Sequence, residues 1–251
     1  MRWFGEYPLS ATLTLRHEVM EQEMERQLLI GGITPFSTVD WPGKLACVAF
    51  LAGCPWRCPY CQNHRLQGFE AATATGEDLF AFLEQRRGLL DGVVFSGGEP
   101  LAQASTIEAA QRAREMGFEV GLHTCGAYPD RLRQILPLVD WVGIDVKAPW
   151  DAYDRVTTMP GTGPLANKSL QLVLDAGVAM EARTTWHPAL LSPDDIATIG
   201  RDLAARGVRT WAVQAYRSQG TTGQLPDETV YPSDMPEGIA ELFEAFEFRR
   251  A

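Results

Sequence analysis

Leu45-Ala46-Cys47-Val48-Ala49-Phe50-Leu51-Ala52-Gly53-Cys54-Pro55-Trp56-Arg57-Cys58-Pro59-Tyr60-Cys61 is an apolar strand that runs into a loop of three cysteines. The first seven residues carry no charge, as befits a strand of a parallel sheet covered on both faces. Gly53 and the two prolines mark the turn that follows.

Outward from this stretch, short β-branched runs alternate with helical patterns after about residue 44, the rhythm of βα units around a parallel sheet. The spacing predicts six strands, over residues 45–51, 92–96, 119–124, 141–147, 180–186 and 210–216. Helical periodicity fits 76–90, 105–117 and 193–207, with Gly117 and Gly207 where helix ends belong and Pro129 and Pro193 near helix starts. Six units are too few to close the eight-stranded barrel, so the expected fold is α/β, an open partial (βα)6 barrel whose inner face need not be packed dry.

Alternate strand residues point to opposite sides of a sheet. In the fourth strand Val142, Ile144 and Val146 share one face, and Asp145 and Lys147 take the other. In the fifth, Met180, Ala182 and Trp186 oppose Glu181, Arg183, Thr185 and His187; in the sixth, Gln214 faces away from Val213. The apolar faces belong under helices and the polar faces line a lumen. Buried charges there must pair with one another or bind something, and the two are compatible.

Composition narrows the function. The chain has 251 residues, 45% hydrophobic and 22% charged, without a low-complexity tract, which is ordinary for a globular protein. A formal charge of −10 leaves no basic field for nucleic acid or an anionic membrane. No apolar run reaches the roughly 20 residues that span a bilayer, and the N-terminus lacks the zones of an export signal, so a cytoplasmic location is expected. Residues 1–27 read as an N-terminal extension that adds little to the core, with Met20 or Met24 as an alternative start, and 28–251 as the barrel with a C-terminal helical tail. An amphipathic pattern in the extension also suits a partner-docking helix.

Five cysteines, three of them within eight residues, point to a metal site rather than a disulfide framework. The C-x3-C-x2-C triad of Cys54, Cys58 and Cys61 can hold three irons of a cubane and leave the fourth open. Zinc is the alternative, with His64 near enough in sequence to be a fourth ligand. Cys47 and Cys125 read as small buried apolar residues.

The triad, with an aromatic residue before its last cysteine and a strand before its first, resembles the signature of the radical S-adenosylmethionine superfamily. Ser96-Gly97-Gly98-Glu99-Pro100 is similar to the GGE motif that holds the amino group of the bound methionine. The resemblance implies a 4Fe-4S cluster and S-adenosylmethionine as cofactors. It places Tyr60 against the adenine, Gly97, Gly98, Glu99 and Thr124 around the cofactor, and Arg183 and His187 against the nucleoside or carboxylate. Asp145 and Lys147 match the D-x-K motif of the glycyl-radical-enzyme activating subgroup, which implies a catalytic role for both. In that subgroup the aspartate also helps bind a monovalent cation with a D-T-N-G turn. Here the turn reads His123-Thr124-Cys125-Gly126, with His123 in place of the acidic ligand.

Residues 31–43, GGITPFSTVDWPG, resemble the S-x-V-D-G-P-G segment of the same subgroup, with Trp41 where glycine is common. With residues 53–63 they look most like anaerobic ribonucleoside-triphosphate reductase activating proteins, although Gln62 departs from the usual C-H-N. The short span from Cys61 to Gly76 leaves no room for a cysteine-rich insertion, so one cluster is expected. The implied partners are a large glycyl-radical enzyme as protein substrate and a one-electron donor such as flavodoxin or ferredoxin. Two rivals are a radical enzyme acting on a small molecule, such as a 7-carboxy-7-deazaguanine synthase, and a zinc-stabilised binding module without catalysis.

Overall fold

The computed structural model describes residues 27–250. The expected N-terminal extension, apart from Gln27, lies outside the described residues. The strands are β1 (Leu29–Ser37), β2 (Ala46–Leu51), β3 (Ala74–Thr75), β4 (Gly92–Gly97), β5 (Glu119–Thr124), β6 (Trp141–Asp145), β7 (Ala179–Trp186), β8 (Thr210–Ala215) and β9 (Ala245–Arg249). They form one sheet in the order β3-β1-β2-β4-β5-β6-β7-β8-β9, with β3 and β9 at its edges, so the barrel is open. All pairings from β2 to β9 are parallel, and β1 runs antiparallel to β2 and β3.

The helices are α1 (Gly76–Glu84), α2 (Ser105–Glu115), α3 (Pro129–Ile135), α4 (Tyr153–Thr157), α5 (Thr162–Ala176) and α6 (Pro193–Ala205). Glycines in the left-handed region follow α2 and α6, at Gly117 (φ 92°) and Gly207 (φ 84°), where the sequence pattern placed their ends. The α6 start is a capping box: Asp195 N–H donates to Ser192 Oγ, and Ser192 N–H donates to the Asp195 carboxylate at 2.8 Å. Such a cap contributes about 1 kcal/mol.

The predicted faces are the observed ones for the strand residues themselves; His187, just past the end of β7, is the exception. Val142, Ile144, Ala182 and Val213 pack outward under helices with Leu132, Leu170, Ile196 and Leu203 in the main core. The opposite faces of β2, β4 and β6 give a second, smaller cluster inside the lumen, built from Ala46, Val48, Val94, Trp141 and Trp41. Trp41 arrives from the β1–β2 connection and lies against the backbones of Gly92 and Gly121: a Cβ at Gly121 would sit 2.9 Å from the indole. The residue that departs from the common glycine thus plugs the barrel floor.

Two parts of the sequence reading need correction. Residues 29–37 form β1 although Gly31, Gly32 and Pro35 argue against a strand. The register slips between Thr34 and Ser37, so Pro35 falls at an irregularity, where its missing N–H breaks no ladder bond. The expected C-terminal helical tail is instead two short 3-10 turns and the edge strand β9. Residues 245–249 alternate, with Phe246 and Phe248 packed on the core and Glu247 and Arg249 facing the lumen, which is a strand period rather than a helical one.

Candidate functional site

A cavity of about 840 Å³ opens along the inner face, and Cys54, Cys58 and Cys61 line it. The cysteine loop is fixed by residues between its ligands. Trp56 is buried and meets Tyr153 edge-on at 5.8 Å, while Tyr60 is buried on the other side of Cys58. Arg57 N–H donates to Thr157 O at 3.0 Å, and the Arg57 guanidinium returns to Cys54 O at 2.6 Å. Anchoring the intervening side chains inward leaves the three cysteines half-buried and facing the cavity.

The Gly97-Gly98 turn stands against this loop. Gly98 N–H donates to Leu51 O, Glu99 N–H to Gly53 O, and Asn63 Nδ2 to Gly97 O at 3.0 Å. Gly97 has φ 115°, and a Cβ at Gly98 would come within 2.8 Å of Leu66 O, so both positions admit only glycine. This is a backbone cradle open to the cavity.

Glu99 lies behind the cradle, fully buried. Its carboxylate accepts from Thr124 Oγ1 (2.9 and 3.0 Å), Cys125 N–H (2.8 Å) and Leu101 N–H (3.0 Å). Burial pushes its pKa up, against the lowering effect of these donors. Glu99 and Thr124 therefore lock the β4 turn to the β5 turn.

Asp145 and Lys147 line the cavity from the end of β6, paired at 2.6 Å. Burial is the largest single influence on Lys147 and works against its charge, but Asp145, Tyr60, Cys58 and Cys125 together outweigh it and hold the ammonium pKa well above the ordinary value. The ammonium sits 5.6 Å from the Tyr60 ring centre and favours the thiolate form of all three loop cysteines. Burial pushes the Cys58 thiol up to about 11, whereas hydrogen bonding from Cys125 brings Cys54 below its ordinary value.

Arg183 reaches the cavity from β7. Its Nε donates to Glu181 at 2.6 Å, and Nη1 lies 3.1 Å from His123 Nε2. His123 Nε2 donates to Asp40 O at 2.8 Å, and Ser96 Oγ lies 3.2 Å from Nδ1. Arg249 of β9 adds a second cation to Glu181 at 2.8 Å.

His187 stands apart. The alternation that put it in the lumen stops at Trp186, where β7 ends. It is fully buried, with Nε2 donating to Pro226 O (3.0 Å) and Nδ1 accepting from Ala189 N–H (3.0 Å). Both nitrogens are occupied, and it supports the turn rather than the cavity. Cys125 is buried in the main core, as read, and in addition lines the cavity beside Cys54. Its place in the turn after β5 was the available signal.

These residues fit a cubane cluster. Among the described residues no three His, Cys, Asp or Glu side chains converge as a single ion requires; cubane thiolates need not, because each takes its own iron. His64 turns Nδ1 to Gly220 O at 2.9 Å. The Tyr60 hydroxyl, buried beside the cavity, has no hydrogen-bond partner among the described residues. Asp145, the carboxylate that the resemblance assigns to a monovalent cation, is paired with Lys147; Glu181 is paired with Arg183 and Arg249, and Glu247 with Arg249. Among the described residues no helix is long and apolar enough to cross a membrane.

An open parallel barrel with three cysteines beside a glycine cradle defines a class. The Radical SAM superfamily model matches residues 48–179, and the chain belongs to that superfamily. It is 33% identical over 180 residues to a Methanocaldococcus jannaschii protein provisionally named a glycyl-radical enzyme activating enzyme, covering 69% of this chain and 74% of that one. A 7-carboxy-7-deazaguanine synthase of Thermococcus kodakarensis is 28% identical over 118 residues, 39% of this chain and 47% of the synthase. In fold, the chain superposes on SuiB of Streptococcus suis with a TM-score of 0.60 at 12% identity, covering all of this chain and 56% of SuiB.

Proposed function

We propose that this chain activates a glycyl-radical protein, and that the partner is an anaerobic ribonucleotide reductase. The observation that carries the reading is the 33% identity to the M. jannaschii protein. The D-x-K pair at the cavity wall and the resemblance of residues 31–43 and 53–63 support it and suggest the partner. Cys54, Cys58 and Cys61 would hold the cluster, with S-adenosylmethionine beside it. When bound, these would supply reductive cleavage of the cofactor and hydrogen-atom abstraction from the partner glycine Cα, with a flavodoxin or ferredoxin as the one-electron source.

The chain's own groups bind, orient and exclude water. The Gly97-Gly98 backbone offers carbonyl groups to the cofactor's amino group. Glu99 acts through Thr124 and Cys125 to hold that backbone in place, as a positioning residue. Tyr60 and Arg183 form the walls for the nucleoside, and Lys147, held by Asp145, supplies a fixed positive charge beside the thiolates. Trp41 closes the floor, and the docked partner closes the mouth.

The test is electron paramagnetic resonance of the reduced, reconstituted protein with S-adenosylmethionine and a reductase deuterated at its glycine Cα. Deuterium should appear in 5'-deoxyadenosine and the doublet splitting should collapse. Deuterium found only in solvent rejects the mechanism. The similarity to the T. kodakarensis synthase favours a second reading, chemistry on a small molecule. Formation of a 7-carboxy-7-deazaguanine product with no glycine radical would select it.

A further inference from the structure

The chain carries a formal charge of −10, yet its cavity is lined by five basic residues and only three acidic ones. Most of these charges are already matched. Lys147 holds Asp145; Arg183 and Arg249 share Glu181 beneath the surface; Arg249 also holds Glu247; and Asp40 accepts from Ser37 Oγ. Arg217 and Arg250 are different. Both line the cavity, and no carboxylate among the described residues pairs with either; the nearest acceptor is the Gln62 amide, 3.3 Å from Arg217.

These two arginines stand just past the ends of β8 and β9, where Gln214 and Arg249 lie side by side in register on the inner face. β8 and β9 supply none of the residues given to cluster or cofactor. β9 is also a sheet edge, with main-chain groups available to an extended chain.

We propose that the wall formed by Arg217, Arg250 and Gln214 is an anion subsite, and that it takes a carboxylate on an extended segment of the partner protein. Guanidinium groups bind carboxylates through paired, charge-assisted hydrogen bonds. Both arginines are exposed at the rim of the cavity, so each contributes as a surface charge whose attraction weakens as salt is added. The acidic exterior repels an acidic segment while the mouth attracts it, which selects for entry and orientation at once. The source of the anion rests on the proposed function; the subsite itself rests on the charges.

The test is fluorescence anisotropy under anaerobic conditions, on the reconstituted protein with S-adenosylmethionine. The probes are a labelled peptide with glutamates on both sides of a central glycine and the same peptide with glutamines. The glutamate peptide should bind at least about tenfold more tightly. The double variant Arg217→Gln/Arg250→Gln should erase that preference with iron and sulfide content unchanged, and Arg217→Lys/Arg250→Lys should keep most of it. Equal affinity for both peptides, or a preference that survives the glutamine variant, overturns the proposal. Inorganic phosphate that binds the parent but not the glutamine variant, with neither peptide binding, overturns the assignment to a protein segment. Binding is read without radical formation, so a failed glycine-radical experiment is a separate result.

Discussion

Trp41 stacks on Trp141 with ring centroids 6.0 Å apart and planes 22° from parallel, and this pair closes the lower end of the lumen. His123 meets Trp141 edge-on at 5.5 Å and Arg183 lies 5.1 Å from its ring centre, so the apolar plug grades directly into the polar wall of the cavity. Trp41→Ala should cost about 3–5 kcal/mol of stability, the usual range for emptying a large aromatic site. Urea unfolding measures this, and a loss under about 1 kcal/mol would show that the plug is not packed.

Cys54→Ala, Cys58→Ala and Cys61→Ala should each abolish the cluster, because each removes the sole thiolate at one iron. Cys47→Ala should leave it intact: that thiol is fully buried on the outer side of β2, where burial pushes its pKa up to about 12. Cys125→Ala should retain iron but alter the Cys54 environment it touches. Iron and sulfide analysis after anaerobic reconstitution decides each case, and full iron in any of the first three variants contradicts the site.

His123 gives a pH dependence. Burial, and then the Arg183 charge, hold its pKa well below the ordinary 6.5. The fold keeps it neutral while the unfolded chain takes up a proton. Its contribution is therefore complete above about pH 6.5 and is lost as pH falls from there toward the folded value, by up to about 1.4 kcal/mol per pH unit. Unfolding curves of the parent and His123→Gln between about pH 5 and 6.5 should converge toward the acid end. Parallel curves would mean that His123 is protonated in the fold.

The sequence shows those parts of the molecule that local patterns determine. Val142, Ile144 and Val146 against Asp145 and Lys147 announced a two-faced strand, and the structure puts the first set under helices and the second at the cavity. What stayed hidden depends on where a pattern stops or on contacts far along the chain. His187 continues the polar alternation of β7 in sequence, but the strand has ended and backbone partners claim its ring. Glu99 reads as a ligand of the cofactor, whereas its depth behind Gly98 follows from Thr124 and Cys125, some 25 residues away. Trp41 as a plug needs Gly92 and Gly121 opposite it, a complementarity visible only once the barrel curves.

Asp145 and Lys147 form an asymmetric pair, and the asymmetry makes the sharpest prediction. Their side chains are 38% and 10% exposed. Asp145→Asn leaves an ammonium in a buried site with no carboxylate beside it, a change that costs about 3–5 kcal/mol in buried pairs. Lys147→Met leaves a carboxylate that already faces the cavity and can be hydrated, and the methionine keeps the packing against Tyr60. Its cost should be smaller, about 1 kcal/mol or less. The order reverses for the thiolates: removing the ammonium withdraws positive charge from all three loop cysteines, so Lys147→Met should make the reconstituted cluster harder to reduce than in the parent. Urea unfolding and a spectroscopic redox titration read the two effects separately. Equal destabilisation by both variants, or an unchanged potential in Lys147→Met, would remove Lys147 from its place as the fixed charge beside the cysteine loop.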